Sequence, residues 1–124
     1  MFKHFLVFVG GGAGAVVRYI AGTAIMQRFG GSFPLGTLVI NVTGSFVIGI
    51  LMTILTERFQ VSPNWRFLLV VGFLGGYTTF SSFEYETAQA VRQGALGAGV
   101  LNLAGSVIAG YLAVWLGIVI ASRG

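Results

Sequence analysis

Four long apolar runs, joined by short polar segments, limit this chain to very few folds. They cover residues 5–26, 33–56, 67–83 and 95–121. Only the first contains a charged residue, Arg18. A helix needs about 20 mostly apolar residues to cross a bilayer, and the third run reaches that length if its helix continues past Glu84. The sequence therefore predicts an all-α membrane protein with one domain of four transmembrane helices, at about residues 4–28, 33–57, 64–90 and 95–121.

The composition excludes several classes of function. Only 8% of the residues are charged, whereas soluble domains have about 25%. The chain has no cysteine, which rules out disulfides and thiolate metal sites. Its seven basic residues are scattered singly and do not form the stripe that nucleic-acid binding requires. With one histidine, His4, and no visible nucleophile–base pair, we expect neither an enzyme nor a nucleic-acid partner.

The basic residues give the membrane orientation only a weak bias. Four spans place both termini and the middle loop on one side of the bilayer, with four basic residues against two on the other. The first side has Lys3, Arg58, Arg66 and Arg123, and the second has Arg28 and Arg92. Basic loops favour the cytoplasm. The balance leaves two interpretations open: termini in the cytoplasm, or insertion in both orientations.

Small and polar residues fall on defined helix faces. The first span has glycines at multiples of four residues, which allow close helix packing; these are Gly10, Gly14 and Gly22. Polar stripes with four-residue spacing follow in the second span (Thr37, Asn41, Ser45) and in the fourth (Asn102, Ser106, Gly110). Such stripes lie on one side of a helix. They indicate either interhelical hydrogen bonds or a polar pathway through the membrane.

Arg18 is the basic residue deepest inside a span. A cation near the bilayer centre costs at least about 3 kcal/mol, and such residues usually face a cavity or a partner. The alternative is that the side chain snorkels to the interface. The sequence offers no carboxylate in the apolar runs of the first, second or fourth span, so backbone carbonyls, an amide, water or an anion remain as partners.

The third span contains an unusual segment, GFLGGYTTFSSFEYE, at residues 72–86. The adjacent Gly75 and Gly76 predict a broken helix, whose freed backbone groups lipid cannot satisfy. Carbonyls at such a break suit a small hard cation such as sodium. Beyond it, Phe80 and Phe83 share a helix face, and the edges of their rings carry partial positive charge. The pair indicates either an anion contact, aided by neighbouring hydroxyls, or ordinary core packing.

Three segments resemble the Fluc family of small fluoride channels, also called CrcB. They are GGGAGAVVRY at residues 10–19, GTLVINVTGSFVIG at 36–49 and the segment at 72–86. They follow the family's order and spread over most of the chain. The fourth span matches more loosely, because Gly110 stands where another polar residue could extend a polar track.

This resemblance implies a fold and a function. The family forms antiparallel, dual-topology homodimers in the membrane, with two fluoride pores and a structural sodium ion at the dimer centre. Backbone carbonyls of Gly75 and Thr78 would hold the sodium. The chain would passively export fluoride across the inner (plasma) membrane, with fluoride, lipid and its own second copy as partners.

The resemblance also implies roles for side chains. Phe80 and Phe83 would contact the permeating anion, and Asn41 would form a hydrogen bond near them. The remaining positions are those of the polar track and its ends: Thr79, Ser81, Ser106, Arg18 and Glu86. Arg18 would attract anions into a vestibule, and Glu86 would lie towards the far end of the track.

Two other functions fit a small four-span protein. A proton-coupled multidrug exporter needs a carboxylate within the membrane, and here Glu84 and Glu86 lie only at the end of the third span. A membrane assembly subunit without transport activity is the other alternative.

Overall fold

The computed structural model describes residues 1–31, 33–58 and 61–123, with Arg58 described by its backbone alone. Its elements are helices α1 (Phe2–Phe29), α2 (Leu35–Thr53), α3 (Gly75–Tyr77), α4 (Ser81–Arg92) and α5 (Leu96–Arg123). Two π-helical segments, Ile54–Arg58 and Arg66–Leu74, extend α2 and precede α3. The described residues contain no β-strand.

The helices form four spans long and apolar enough to cross a membrane, which confirms that part of the prediction. They run over Phe2–Phe29, Leu35–Glu57, Arg66–Arg92 and Leu96–Arg123, with 28, 23, 27 and 28 residues. Each exceeds the roughly 20 residues that the apolar core of a bilayer requires. The chain is therefore a multi-pass membrane protein.

The third span changes its backbone conformation near its middle. The π-helical segment and the single turn of α3 end at Thr78, which is extended, with φ −84° and ψ 157°. Residues 78–80 are not helical, and α4 begins at Ser81. We call residues 78–80 the interruption. π-Helical segments often accompany functional sites, and the interruption directly follows one.

The interruption lies beyond the glycine pair at which the sequence predicts it. Gly75 and Gly76 are both helical; Gly75 has φ −61° and ψ −38°. Gly76 serves close packing, because a Cβ atom there would overlap the carbonyl oxygen of Gly11 in α1. The predicted position near Gly75-Gly76 is thus corrected to Thr78–Phe80.

Glycines bring the spans together in two pairs. α1 packs against the first half of the third span, where Cβ atoms at Gly10 or Gly14 would overlap the carbonyls of Leu68 or Phe73. α2 packs against α5 in the same way through Gly49 and Gly117. Lipid provides no hydrophobic drive for helices to associate, so close backbone packing stabilises the bundle.

Candidate functional site

A side chain of α2 binds the backbone of the interruption. Nδ2 of Asn41 donates to the carbonyl oxygen of Thr79 at 2.8 Å, and the amide nitrogen of Thr79 donates to Oδ1 of Asn41, also at 2.8 Å. The carboxamide thus satisfies both backbone groups of one residue. This arrangement removes the cost of leaving those groups unpaired inside the membrane.

Threonine hydroxyl groups form hydrogen bonds with backbone groups at both ends of the interruption. Oγ1 of Thr78 donates to the carbonyl of Leu74 at 2.8 Å, beside the amide of Thr78, which donates to the same oxygen at 2.9 Å. Oγ1 of Thr79 accepts from the amide of Ser82 at 3.3 Å and so caps the first turn of α4. Threonine is favoured in such a capping role.

These contacts release two carbonyls from their helical partners. In a continuous α-helix the amide of Thr79 would bond the carbonyl of Gly75, and the amide of Ser82 would bond that of Thr78. Here the first amide bonds Asn41 and the second bonds Oγ1 of Thr79. The carbonyls of Gly75 and Thr78, the two residues that the resemblance names as sodium ligands, are among those freed. Those of Gly76 and Tyr77 also lose their helical partners, because the amides of residues 80 and 81 form no backbone hydrogen bond among the described residues.

The freed carbonyls of Gly75 and Thr78 lie beside an open cavity of about 340 Å³. Its lining includes Gly75, Thr78, Asn41, Ser45 and Phe80. Oxygen ligands suit small hard cations, so this donor set fits a sodium ion. The described residues hold no group of three or more His, Cys, Asp or Glu that could bind a metal through side chains.

The two phenylalanines have different environments. The ring of Phe83 is buried, with 5% exposure, and Phe80 is 74% exposed. Their ring centroids are 6.0 Å apart at an interplanar angle of 55°. Tilted rings present edges as well as faces, and the edges are the electropositive part. Phe80 therefore offers an accessible ring beside the interruption, whereas Phe83 lies in the protein interior.

A second cavity, of about 460 Å³, also adjoins the interruption, because Thr79 lines both cavities. It is lined by Arg18, Thr37, Thr79, Ser82 and Glu86, among others. No ion pair joins Arg18 to another residue in the described part of the chain. Oε1 of Glu86 is buried and has no hydrogen-bond partner among the described residues. The cavity thus places one cationic and one acidic side chain around a space that can hold water or an ion.

A chain of hydrogen bonds connects α5 to Phe83. Oγ of Ser106 donates to Oδ1 of Asn102 at 3.2 Å, and Nδ2 of Asn102 donates to Oγ1 of Thr87 at 2.9 Å. Oγ1 of Thr87 donates to the carbonyl of Phe83 at 2.8 Å. Asn102 is 1% exposed, so this polar chain lies inside the protein between α4 and α5.

The structure gathers most of the predicted site residues around the interruption. Thr79 lines the second cavity with Arg18 and Glu86 and the first with Phe80, Asn41, Gly75 and Thr78. Ser106 lines neither of these cavities and is linked instead to Phe83 through hydrogen bonds. Ser81 is exposed at the start of α4.

Sequence reasoning missed two contributors. Thr87 joins Asn102 to Phe83, and it lies one helical turn after Phe83, a spacing that predicts contact with the Phe83 carbonyl. Tyr77 shares a hydrogen bond of 2.9 Å with Oγ1 of Thr43 in α2. No spacing rule identifies that pair, because its members are 34 residues apart.

Comparisons with known proteins match nearly the whole chain. A family model described as "CrcB-like protein, Camphor Resistance (CrcB)" matches residues 5–118. The fluoride-specific ion channel FluC of Solibacter usitatus (strain Ellin6076) is 58% identical over 121 residues, 98% of this chain and 99% of the relative. The proteins of that name from Acidobacterium capsulatum and Hydrogenobaculum sp. (strain Y04AAS1) are 48% and 47% identical, covering 98% and 93% of this chain and 97% and 93% of the relatives. With this extent of similarity and the resemblance of its three motifs, the chain belongs to the CrcB family.

Proposed function

We propose that this protein is a fluoride-specific ion channel that passively exports fluoride from the cytoplasm. The observation that carries the proposal is the 58% identity, over 98% of the chain, to a relative named a fluoride-specific ion channel. This relation favours a channel over a proton-coupled exporter or an assembly subunit, and over an enzyme. Fluoride that enters a cell as neutral hydrogen fluoride ionises inside, and a channel in the inner membrane returns it.

The pathway follows the polar groups on both sides of the interruption. Arg18 attracts anions into the cavity that it shares with Thr79 and Glu86. The exposed ring of Phe80 contacts the anion with its edge, and Phe83 supplies the second ring once the anion moves inward. A ring edge binds an anion weakly enough for it to leave again, which conduction requires. Hydroxyls of Thr79 and Ser81 serve as donors along the route, and Ser106 supports Phe83 through the chain of hydrogen bonds formed by Asn102 and Thr87.

The working unit is an antiparallel homodimer with two pores. One supporting observation is that Gly75 and Phe80 are exposed in the single chain, although freed backbone groups in lipid each cost several kcal/mol. A second copy on this face covers them. The other support is the small difference in the number of basic residues between the two sides of the membrane, which permits both orientations.

Orientation variants test this assembly. Added basic residues at both termini fix one topology, and such a variant alone then forms no active dimer. Two oppositely biased variants, produced together, recover activity. Normal flux from a single biased variant would contradict obligatory antiparallel pairing.

The interruption also serves as a cation site at the dimer centre. Two copies bring together four carbonyls, from Gly75 and Thr78 of each chain, and these fit one structural sodium ion. A bound cation offsets the dipoles of the freed carbonyls and favours anions nearby. The side chains of Asn41 and Thr79 keep these carbonyls free by binding the amides that would otherwise pair with them.

Ion flux from liposomes tests the function directly. Purified protein in liposomes should release fluoride when a potassium ionophore compensates the charge, with neither ATP nor a proton gradient. Chloride release, measured in parallel, should be far slower. Equal rates for both anions contradict fluoride specificity, and the absence of any anion flux contradicts the channel itself.

A further inference from the structure

Three residues of α2, Asn41, Thr43 and Gly44, contact the third span at or just before the interruption. Asn41 holds both backbone groups of Thr79, and Thr43 bonds the hydroxyl of Tyr77 on the preceding turn. Gly44 follows Thr43, and a Cβ atom there would overlap Cγ2 of Thr78. Contacts thus reach each of three successive residues, 77 to 79, from one turn of one helix.

We infer that this turn of α2 stabilises the interruption of the third span, and that Asn41 is a positioning residue that acts through Thr79. The inference rests on the proposed channel function and deepens it. Asn41 takes the Thr79 amide from the Gly75 carbonyl, so the interruption persists only while the carboxamide is in place. The effect on conduction is indirect, through the positions of the Gly75 carbonyl before the interruption and the Phe80 ring after it.

The chemistry of the contact decides which substitutions preserve it. The carboxamide donates one hydrogen bond and accepts another on a single residue. A neutral carboxylic acid can also donate one hydrogen bond, through its O–H group, and accept another. A carboxylate can only accept hydrogen bonds. Leucine has nearly the same shape and can do neither. Asn41→Asp therefore preserves the contact only when protonated, and Asn41→Leu never does.

The test measures fluoride flux of both variants at about pH 7 and at about pH 4, which is near the ordinary pKa of an aspartate side chain, so that much of the carboxyl is protonated there. At the higher pH both variants should lose at least about tenfold in flux, since the half-buried backbone groups of Thr79 lose their hydrogen-bond partner. At the lower pH Asn41→Asp should return to within about threefold of the wild type, while Asn41→Leu stays low.

The controls account for other sources of pH dependence. Arg18 and Tyr19 of α1 and Glu86 of α4 line a cavity together with Thr79, and Tyr77 of α3 precedes Thr79 by two residues. The wild type, which retains these ionisable groups, is measured at each pH. Asn64→Asp adds the same carboxyl at an exposed position and should behave like the wild type throughout. Protein-free liposomes correct for leakage of hydrogen fluoride.

Amide exchange separates a positioning role from direct contact with the anion. In Asn41→Leu the Thr79 amide should exchange at least about tenfold faster than in the wild type, because its acceptor is gone. If flux falls but Thr79 stays protected and acid restores nothing, Asn41 acts on the anion itself and the inference is wrong while the channel stands. Full flux in both variants at about pH 7 also overturns it. Failure of the wild type to pass fluoride rejects the proposed function instead.

Discussion

The two halves of the third span are attached to the protein by different physical means. The first half, up to Tyr77, packs on α1 through glycines whose missing side chains let two backbones meet. The second half, α4, contacts α5 through a buried chain of hydrogen bonds that includes Asn102 and Thr87. The comparison indicates that close backbone packing at glycines holds the first half in place. Hydrogen bonds between paired donors and acceptors position the second half and its phenylalanines.

The largest expected effect is on the first half. Gly14→Ala places a Cβ atom against the carbonyl of Phe73 and the amide of Tyr77, and neither backbone group can move cheaply. Overpacking of this kind costs about 1–3 kcal/mol or more. We expect little folded protein after purification, as measured by size-exclusion chromatography and thermal melting. Gly12→Ala, with no atom of this chain within 4 Å of the new Cβ, is the matched control and should fold; equal behaviour of the two would contradict the glycine packing.

The second effect concerns the junction between the halves. Protein purified throughout in a large organic cation instead of sodium should lose thermal stability. A ligand present at about one hundred times its dissociation constant stabilises by about 2.7 kcal/mol. The melting temperature should recover on addition of sodium but not of a cation too large for four carbonyls. A melting temperature independent of sodium would contradict the cation site at Gly75 and Thr78.

The third effect separates function from stability in the second half. Phe80→Ile keeps an apolar side chain but removes the electropositive edge, so fluoride flux should fall about tenfold, the equivalent of one good aromatic contact. Because Phe80 is 74% exposed in the single chain, the fold should persist. Phe83→Ile should lower both flux and melting temperature, since that ring is buried. Unchanged flux in both variants would return the pair to a packing role.

The smallest effect tests the polar attachment of α4. Asn102→Leu removes the interhelical hydrogen bond to Thr87 and the bond from Ser106 within α5, and an interhelical bond in a membrane contributes about 0.6–1.7 kcal/mol. We expect a modest fall in melting temperature, smaller than that of Gly14→Ala. Thr56→Val, which removes an exposed bond within a single helix, should change little. A loss as large as that of Gly14→Ala would show that both halves depend equally on packing.

Local sequence patterns select several residues of the candidate site. The spacing of Phe80 and Phe83, the polar stripe that contains Asn41 and the charge of Arg18 all select candidates that the structure places near the interruption. Patterns of this kind are informative because residues three or four positions apart lie on the same face of a helix. The same rule could have found Thr87 but did not, since its hydroxyl is unremarkable without Asn102 opposite.

The sequence by itself determined four membrane spans, because long uncharged runs leave the backbone no other way to satisfy its polar groups in lipid. It also determined that the third span has a weak point, marked by glycines and hydroxyls. Only the tertiary structure decided at which residues the helix of that span is interrupted. Gly75 and Gly76 stay helical against α1, and the helix stops where Asn41 bonds Thr79, a residue 38 positions away. Glycine permits an interruption, but a hydrogen-bonding partner from another helix stabilises it at one residue.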